Sequence, residues 1–310
     1  MISNQYTKFF KKIVIVLIVL IIADQVTGYL IRRLYYNMVA GENYRTTFSV
    51  DSTRADILVF GSSRASHHYV PEFFEKKFSM NFYNTGRDGN YVLSNYANFK
   101  AVMKRYSPKI IIFDLNPNDL VYRLSDYERL SAYLPYYTNH QELREIIELR
   151  SPFEKYKLLS ATYPYNSQIL RILFRNLSKT REDDNKGYMP LYIKMKISNA
   201  KKYLQESAGT IDLNKINALK DISETCIKNN ITLFIVCSPI FSDSKIRFTS
   251  TIIEDITRHK LCTYFDYSSD STFVNHPEYF MDNVHLNDDG AKIFSNIISS
   301  KMSDYIKSSL

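Results

Sequence analysis

The longest apolar run lies near the start of the chain. Residues 13–22 are uninterrupted isoleucine, valine and leucine, and a mostly apolar stretch continues to Ile31 before Arg32 and Arg33. As a helix, residues 13–31 would extend about 28 Å, just enough to cross a hydrocarbon core. Lys8, Lys11 and Lys12 precede the run, and Asp24 interrupts it. A central Asp costs about 2.5–3.5 kcal/mol on insertion scales, which the preceding aliphatic residues offset. No small-residue cleavage site follows, so the pattern predicts an uncleaved single-pass anchor over 1–36 rather than a signal peptide. The N-terminus is expected in the cytoplasm and the remainder outside. Asp24 reads either as a hydrated group near the outer interface or as a polar contact to a partner helix.

Beyond the anchor the periodicity changes. An apolar run over 56–60 ends at Gly61-Ser62-Ser63 and reads as a buried strand. A helix is predicted over 70–78, with Pro71 in its first turn. A short strand over 81–83 leads to the turn 84–89, and a helix over 91–106 ends before Pro108. The clearest strand covers 109–115 and is closed by Asn116-Pro117-Asn118-Asp119. From about 120 to 209 the pattern is helical, aromatic and charged, with breaks at Pro135, Pro164 and Gly187 to Pro190. Alternation then resumes with a helix over 213–229, a strand over 231–237, a helix near 249–259, a strand over 263–266 and a last helix over 288–306. Strands alternating with helices predict an α/β three-layer sandwich around a parallel sheet. One domain is expected over 37–310, with a helical insertion at about 120–209.

Composition narrows the class. The 310 residues are 45% apolar and 23% charged, which is globular rather than disordered content. Cys226, Cys237 and Cys262 are too few and too scattered for a disulfide framework or a metal cluster, and read as small buried hydrophobes. No metal or cofactor is expected. The net charge of +8 suits anionic lipid or polymer, but no zinc-finger spacing, RNA-binding aromatic motif or Arg-rich arm is present, so nucleic acid is not the expected partner. The insertion holds 11 of the 25 tyrosines. It reads as an aromatic-packed subdomain, with a lid or acceptor groove as the functional alternative.

Candidate chemistry gathers in turns. In an open parallel sheet the carboxyl ends of the strands share one crevice, so Ser63, the Gly86/Gly89 loop and Asn118 are expected to be neighbours. A fourth turn, Asp282-Asn-Val-His285, enters the last helix. Its spacing lets the carboxylate accept from His285 Nδ1 and leaves Nε2 to face a nucleophile, while Asn287 or Asp288 caps the helix. His67-His68 invites a metal reading, but adjacent side chains diverge, so packing or surface positions are expected. Gly61-Ser62-Ser63-Arg64-Ala65 nearly matches the nucleophile elbow of α/β-hydrolases. That fold needs several strands before its serine, whereas Ser63 follows the first.

Gly61-Ser62-Ser63, Asn84-x-Gly86-x-x-Gly89, Asn116-x-Asn118-Asp119 and Asp282-x-x-His285 resemble, in order, the four blocks of the SGNH (GDSL-like) hydrolases. Gly61, Gly86 and Gly89 lie in these segments and Gly290 lies five residues after the last, together half of the 8 glycines. The resemblance implies a flavodoxin-like sheet, Ser63 as nucleophile, His285 as general acid/base and Asp282 as its orienter. It implies an oxyanion hole from the Ser63 N–H, the Gly89 N–H, with Gly86 as the alternative, and the Asn118 side chain. Two positions depart from the pattern: Ser62 replaces the usual Asp, and Asn116 the usual Gly. Ser62 is similar to the membrane-anchored envelope branch, which includes the D-alanyl-lipoteichoic acid transfer and polysaccharide O-acetylation proteins. Arg64 differs from the acidic residue expected in the first of those. What this branch implies is a serine esterase or O-acyltransferase acting on an ester-bearing envelope glycan or lipid. A multispanning acyl-donating membrane protein would be its partner. The alternative, favoured by Ser62 and Asn116, is a non-catalytic protein that keeps the fold to bind glycan or a membrane partner.

Overall fold

The computed structural model describes residues 2–178, 185–196, 209–241 and 250–309 of the chain. Five strands, β1 (Ile57–Phe60), β2 (Phe82–Asn84), β3 (Ile110–Asp114), β4 (Thr232–Cys237) and β5 (Cys262–Asp266), form one parallel sheet in the order β2-β1-β3-β4-β5. The first helices are α1 (Ile2–Tyr36), α2 (Gly41–Asp51), α3 (Ser63–His68), α4 (Pro71–Phe78) and α5 (Val92–Arg105). The middle of the chain supplies α6 (Leu124–Glu128), α7 (Arg144–Glu148), α8 (Glu154–Lys157) and α9 (Ile169–Ser178), with 3-10 turns between them. The closing helices are α10 (Leu213–Lys228), α11 (Ser250–Ile256), α12 (Ser271–Val274) and α13 (Asp288–Ser309).

By contacts the chain forms two compact units, one of Met1–Tyr44 with Ser131–Glu182 and one of Arg45–Leu130 with Asp183–Leu310.

The second unit is the α/β sandwich. All of β1, β2 and β3 is buried, and β4 nearly so, which is why these segments read as continuous apolar runs rather than alternating ones. The period-2 pleat still sorts the side chains. Ile57, Val59, Ile110, Ile112, Phe234 and Val236 share a core with Phe74 of α4 and Phe294 and Ile298 of α13. Phe60 points the other way, onto Phe99 of α5 at 6.2 Å between ring centroids. Helices thus cover both faces, as predicted. From β1 the chain first winds to β2 on one side and then returns to β3 on the other. That reversal opens a crevice at the carboxyl ends of β1 and β3. Cys226, Cys237 and Cys262 are all free and buried, and burial raises the pKa of each thiol. Residues 188–196 are not helical. They form a strap whose Met189 N–H donates to Ser66 O and whose Met195 N–H donates to Phe280 O, each at 2.8 Å.

In the first unit, Gln5–Tyr36 is a helix long and apolar enough to cross a membrane, the one such helix among the described residues. Its final turns are not free. Tyr35 is buried, its hydroxyl 3.2 Å from that of Tyr136 and its ring 5.6 Å from that of Tyr165. Asp24 accepts from Ser160 Oγ and Ala161 N–H at 2.7 Å and from Thr162 Oγ1 at 2.5 Å. Asp24 is thus held by the chain's own loop, Ser160 to Thr162.

Candidate active site

The first component is built where β1 ends. At Gly61 an added Cβ would meet Ala65 Cβ at 2.6 Å and Asp114 O at 2.9 Å, so only glycine lets α3 begin this close to β3. The Gly61 N–H donates to Asn95 Oδ1 at 3.1 Å. Ser63 is the first residue of α3, not its cap; Ser62 occupies the cap position and makes no side-chain cap bond. A first-turn N–H has no intrahelical acceptor, which leaves the Ser63 amide available as a donor.

Arg64, next to the nucleophile candidate, is buried. Its Nη2 lies 2.8 Å from Asp114 Oδ1 at the end of β3, and its Nη1 donates to Ser238 O at 3.3 Å just after β4. Tyr69 donates to the other Asp114 oxygen at 2.7 Å. Burial opposes the guanidinium charge, but the adjoining Asp114 outweighs it and raises the Arg64 pKa. The triad ties α3 to two neighbouring strands.

The second block closes over α3. Asn84 Nδ2 donates to Ala65 O at 2.7 Å, while its Oδ1 accepts from the Gly86 N–H at 2.9 Å. That bond engages the Gly86 amide. Gly89 adopts φ +73°, a left-handed conformation that favours glycine, and its N–H has no partner among the described residues. In the third block Asn116 Oδ1 accepts from the Asn118 N–H at 3.0 Å, so Asn116 shapes the turn. Asn118 is buried, and its side-chain amide makes no hydrogen bond among the described residues. Asp119 follows, and burial, partly offset by Arg64 and Arg123, pushes its pKa up to about 6.

The fourth block brings His285 to Ser63. Asp282 Oδ1 accepts the Val284 and His285 N–H groups at 2.9 Å each, folding the turn around the carboxylate. The same carboxylate lies 2.9–3.0 Å from His285 Nδ1, and His285 Nε2 lies 2.7 Å from Ser63 Oγ. In the tautomer these contacts favour, Nδ1–H donates to Asp282 and Nε2 accepts from the Ser63 hydroxyl. Burial raises the Asp282 pKa, but the hydrogen bonds from His285 and Val284 outweigh it and hold it below the ordinary value. The carboxylate thus stays ionised down through its ordinary range, and its contribution is lost as pH falls through the lowered pKa. Asn287 caps α13, its Oδ1 accepting from the Gly290 N–H at 3.0 Å. The sequence-predicted Ser63, His285 and Asp282 therefore meet in one chain of contacts. No group of three or more metal-ligating side chains occurs among the described residues.

Two histidines do more than the packing expected of them. His68 Nε2 accepts from the Leu286 N–H at 2.9 Å, so its Nδ1–H donates to Ser238 Oγ, also at 2.9 Å. It fixes the backbone beside His285. His67 donates from Nδ1 to Met189 O at 2.6 Å, and its ring meets that of His285 edge to face at 5.6 Å. Burial is the largest cause lowering the pKa of both, His68 well below 6.5. Each is held neutral while the unfolded chain protonates, so stability is lost as pH falls below 6.5. Measured against His68→Gln by denaturant unfolding, the wild-type chain is expected to lose about 1.4 kcal/mol per pH unit in that range. A pH-independent difference would contradict this. The adjacent pair His67-His68 offered only a packing signal, because the partners Leu286 and Met189 are remote in sequence.

No protein-family model and no curated protein matches the chain. Solved structures similar to it include a candidate acylhydrolase from Bacteroides fragilis NCTC 9343, at 10% identity and a TM-score of 0.40, over 82% of this chain and 88% of that one.

Proposed function

We propose that the protein is a membrane-anchored, SGNH-like serine esterase or O-acyltransferase that works through an acyl-Ser63 intermediate. The observation that carries this reading is the unbroken contact chain from Ser63 Oγ through His285 to Asp282, with 2.7 Å at its first step. A serine hydroxyl is a weak nucleophile until a neighbouring base takes its proton, and that contact puts the base within reach.

In the proposed reaction Ser63 Oγ attacks the ester carbonyl carbon as its proton passes to His285 Nε2. The oxyanion is received by the N–H groups of Ser63 and Gly89 and by the Asn118 amide; the engaged Gly86 amide is the poorer candidate. The C–O bond to the leaving alcohol breaks as His285 returns the proton to that oxygen. Water or an acceptor hydroxyl, giving its proton to His285, then attacks acyl-Ser63, and the acyl C–Oγ bond breaks as His285 returns that proton to Ser63 Oγ. Asp282 holds the imidazole tautomer and stabilises its charged form. Donors aimed at the oxyanion act in the transition state, so Asn118→Ala should lower kcat by about 10²–10³-fold with little change in KM. An unchanged kcat would remove Asn118 from this role.

An envelope substrate is supported by the apolar N-terminal helix and the basic charge. In this reading the helix is a single-pass anchor with the α/β unit outside the cytoplasm, and a glycan or lipid ester is the substrate. Transfer to a glycan hydroxyl would use acyl groups supplied by a multispanning membrane partner. The test is hydrolysis of p-nitrophenyl acetate by the full chain in detergent. Turnover that disappears in Ser63→Ala is expected; equal turnover in both forms, or none in either, would overturn the reading.

A further inference from the structure

The apolar surface of the first unit does not end with the anchor. In α9, Leu170, Leu173, Phe174 and Leu177 recur at three- and four-residue spacing, and Phe174 is 67% and Leu177 79% exposed. A helix of a soluble protein turns such a stripe inward. Here the opposite face is the one held: Ile172 is buried, and Asn176 Nδ2 donates to Leu34 O of α1 at 2.9 Å. A second outcrop, Phe153, Tyr156 and Leu159, precedes the loop that seats Asp24, and Leu159 is 75% exposed.

That loop sets the level. If Lys12 marks the inner boundary of the hydrocarbon, Asp24 lies roughly 18 Å along the helix axis, inside a core about 30 Å thick. A carboxylate at that depth needs its hydrogen bonds from protein. Ser160, Ala161 and Thr162 supply them, with Gln25 Nε2 adding one at 3.3 Å. The 159–162 loop therefore enters the outer leaflet together with α1, and the two outcrops adjoin it. Charge agrees: α9 carries Arg171 and Arg175 and no acidic residue, Lys155 and Lys157 border the second outcrop, and Arg32 and Arg33 lie on α1. Cations flanking an apolar stripe suit anionic headgroups.

We propose that residues 150–178 form a second, interfacial membrane contact, in which the α9 stripe and the Phe153, Tyr156 and Leu159 outcrop are seated in the outer leaflet of an anionic phospholipid bilayer. This rests on the reading of α1 as a membrane span. It turns that part of the middle segment into a membrane-bound footing rather than a lid over the substrate. Continuity with the anchor favours lipid over a soluble protein as the occupant.

The chain contains no tryptophan, so a single introduced one reports its own surroundings. The full chain is reconstituted into phosphatidylcholine–phosphatidylglycerol vesicles, with and without bromine on the acyl chains, carrying Leu20→Trp, Leu159→Trp or Phe174→Trp. All three replace exposed side chains. Brominated lipid is expected to quench each about twofold or more, with Leu159→Trp and Phe174→Trp protected from aqueous iodide, as for side chains immersed about 5–10 Å. Quenching of Leu20→Trp alone, with the other two open to iodide, overturns the proposal and leaves the anchor standing. Failure to quench Leu20→Trp as well overturns the anchor reading and this proposal together.

Discussion

Replacing His285 with alanine is expected to lower turnover of an activated ester by about 10⁴-fold or more, and Ser63→Ala should do the same. In the proposed mechanism the 2.7 Å contact between Ser63 Oγ and His285 Nε2 makes the two act as one device. Without the imidazole the hydroxyl keeps its proton; without the hydroxyl the imidazole has nothing to activate. The double variant should therefore be no slower than either single one, within a few fold. Asp282→Asn is expected to cost about 10⁴-fold as well, because an amide placed against Nδ1 disfavours the tautomer that leaves Nε2 free to accept. Single-turnover measurements on the full chain check all four variants. Losses that add on a logarithmic scale would mean that Ser63 and His285 act separately.

The largest expected loss of stability follows Arg64→Met. Both side chains of the Arg64–Asp114 pair are removed from solvent, at 6% and 0% exposure. Truncating the guanidinium leaves the Asp114 carboxylate buried, with the Tyr69 hydroxyl still donating to it. Breaking a buried pair in this way costs about 3–5 kcal/mol. Replacing both partners, in Arg64→Met with Asp114→Leu, should restore much of that loss, since an apolar pair leaves no stranded charge. Denaturant unfolding of the three forms gives the comparison. A single variant as stable as wild type would show that Asp114 draws its compensation from elsewhere. Because Arg64 ties the helix that begins at Ser63 to the ends of β3 and β4, ester turnover should fall along with stability.

Much of the α/β unit is legible in the chain. Apolar runs buried on both faces announce β1, β3 and β4, and their predicted ends lie within a residue or two of the observed ones, because Gly61, Asn116 and Ser238 interrupt them. The block spacing also placed Ser63, His285 and Asp282 together, since each turn follows a strand of the same sheet edge or enters the helix packed on it. What stayed hidden depends on contacts between remote residues. Arg64 and Asp114 are fifty positions apart, and an Asp closing an apolar strand reads as a turn signal. The strap through Met189 was visible only as the break from Gly187 to Pro190. Its extended course is set by hydrogen bonds to Ser66 and Phe280, which no local periodicity records. Asp24 looked like a flaw in a membrane helix because its partners, Ser160 to Thr162, lie far along the chain. The same separation hides the contacts of Tyr35 with Tyr136 and Tyr165.

The claim that Ser63 carries the acyl group is tested most directly by locating a covalent adduct. The full chain is treated with a fluorophosphonate and digested, and the modified peptide is sequenced by fragmentation that separates Ser62 from Ser63. One phosphonyl group on Ser63, absent from the His285→Ala chain, is the predicted result. An unmodified Ser63 in the wild-type chain, or a group resting on Ser62 instead, would contradict the account.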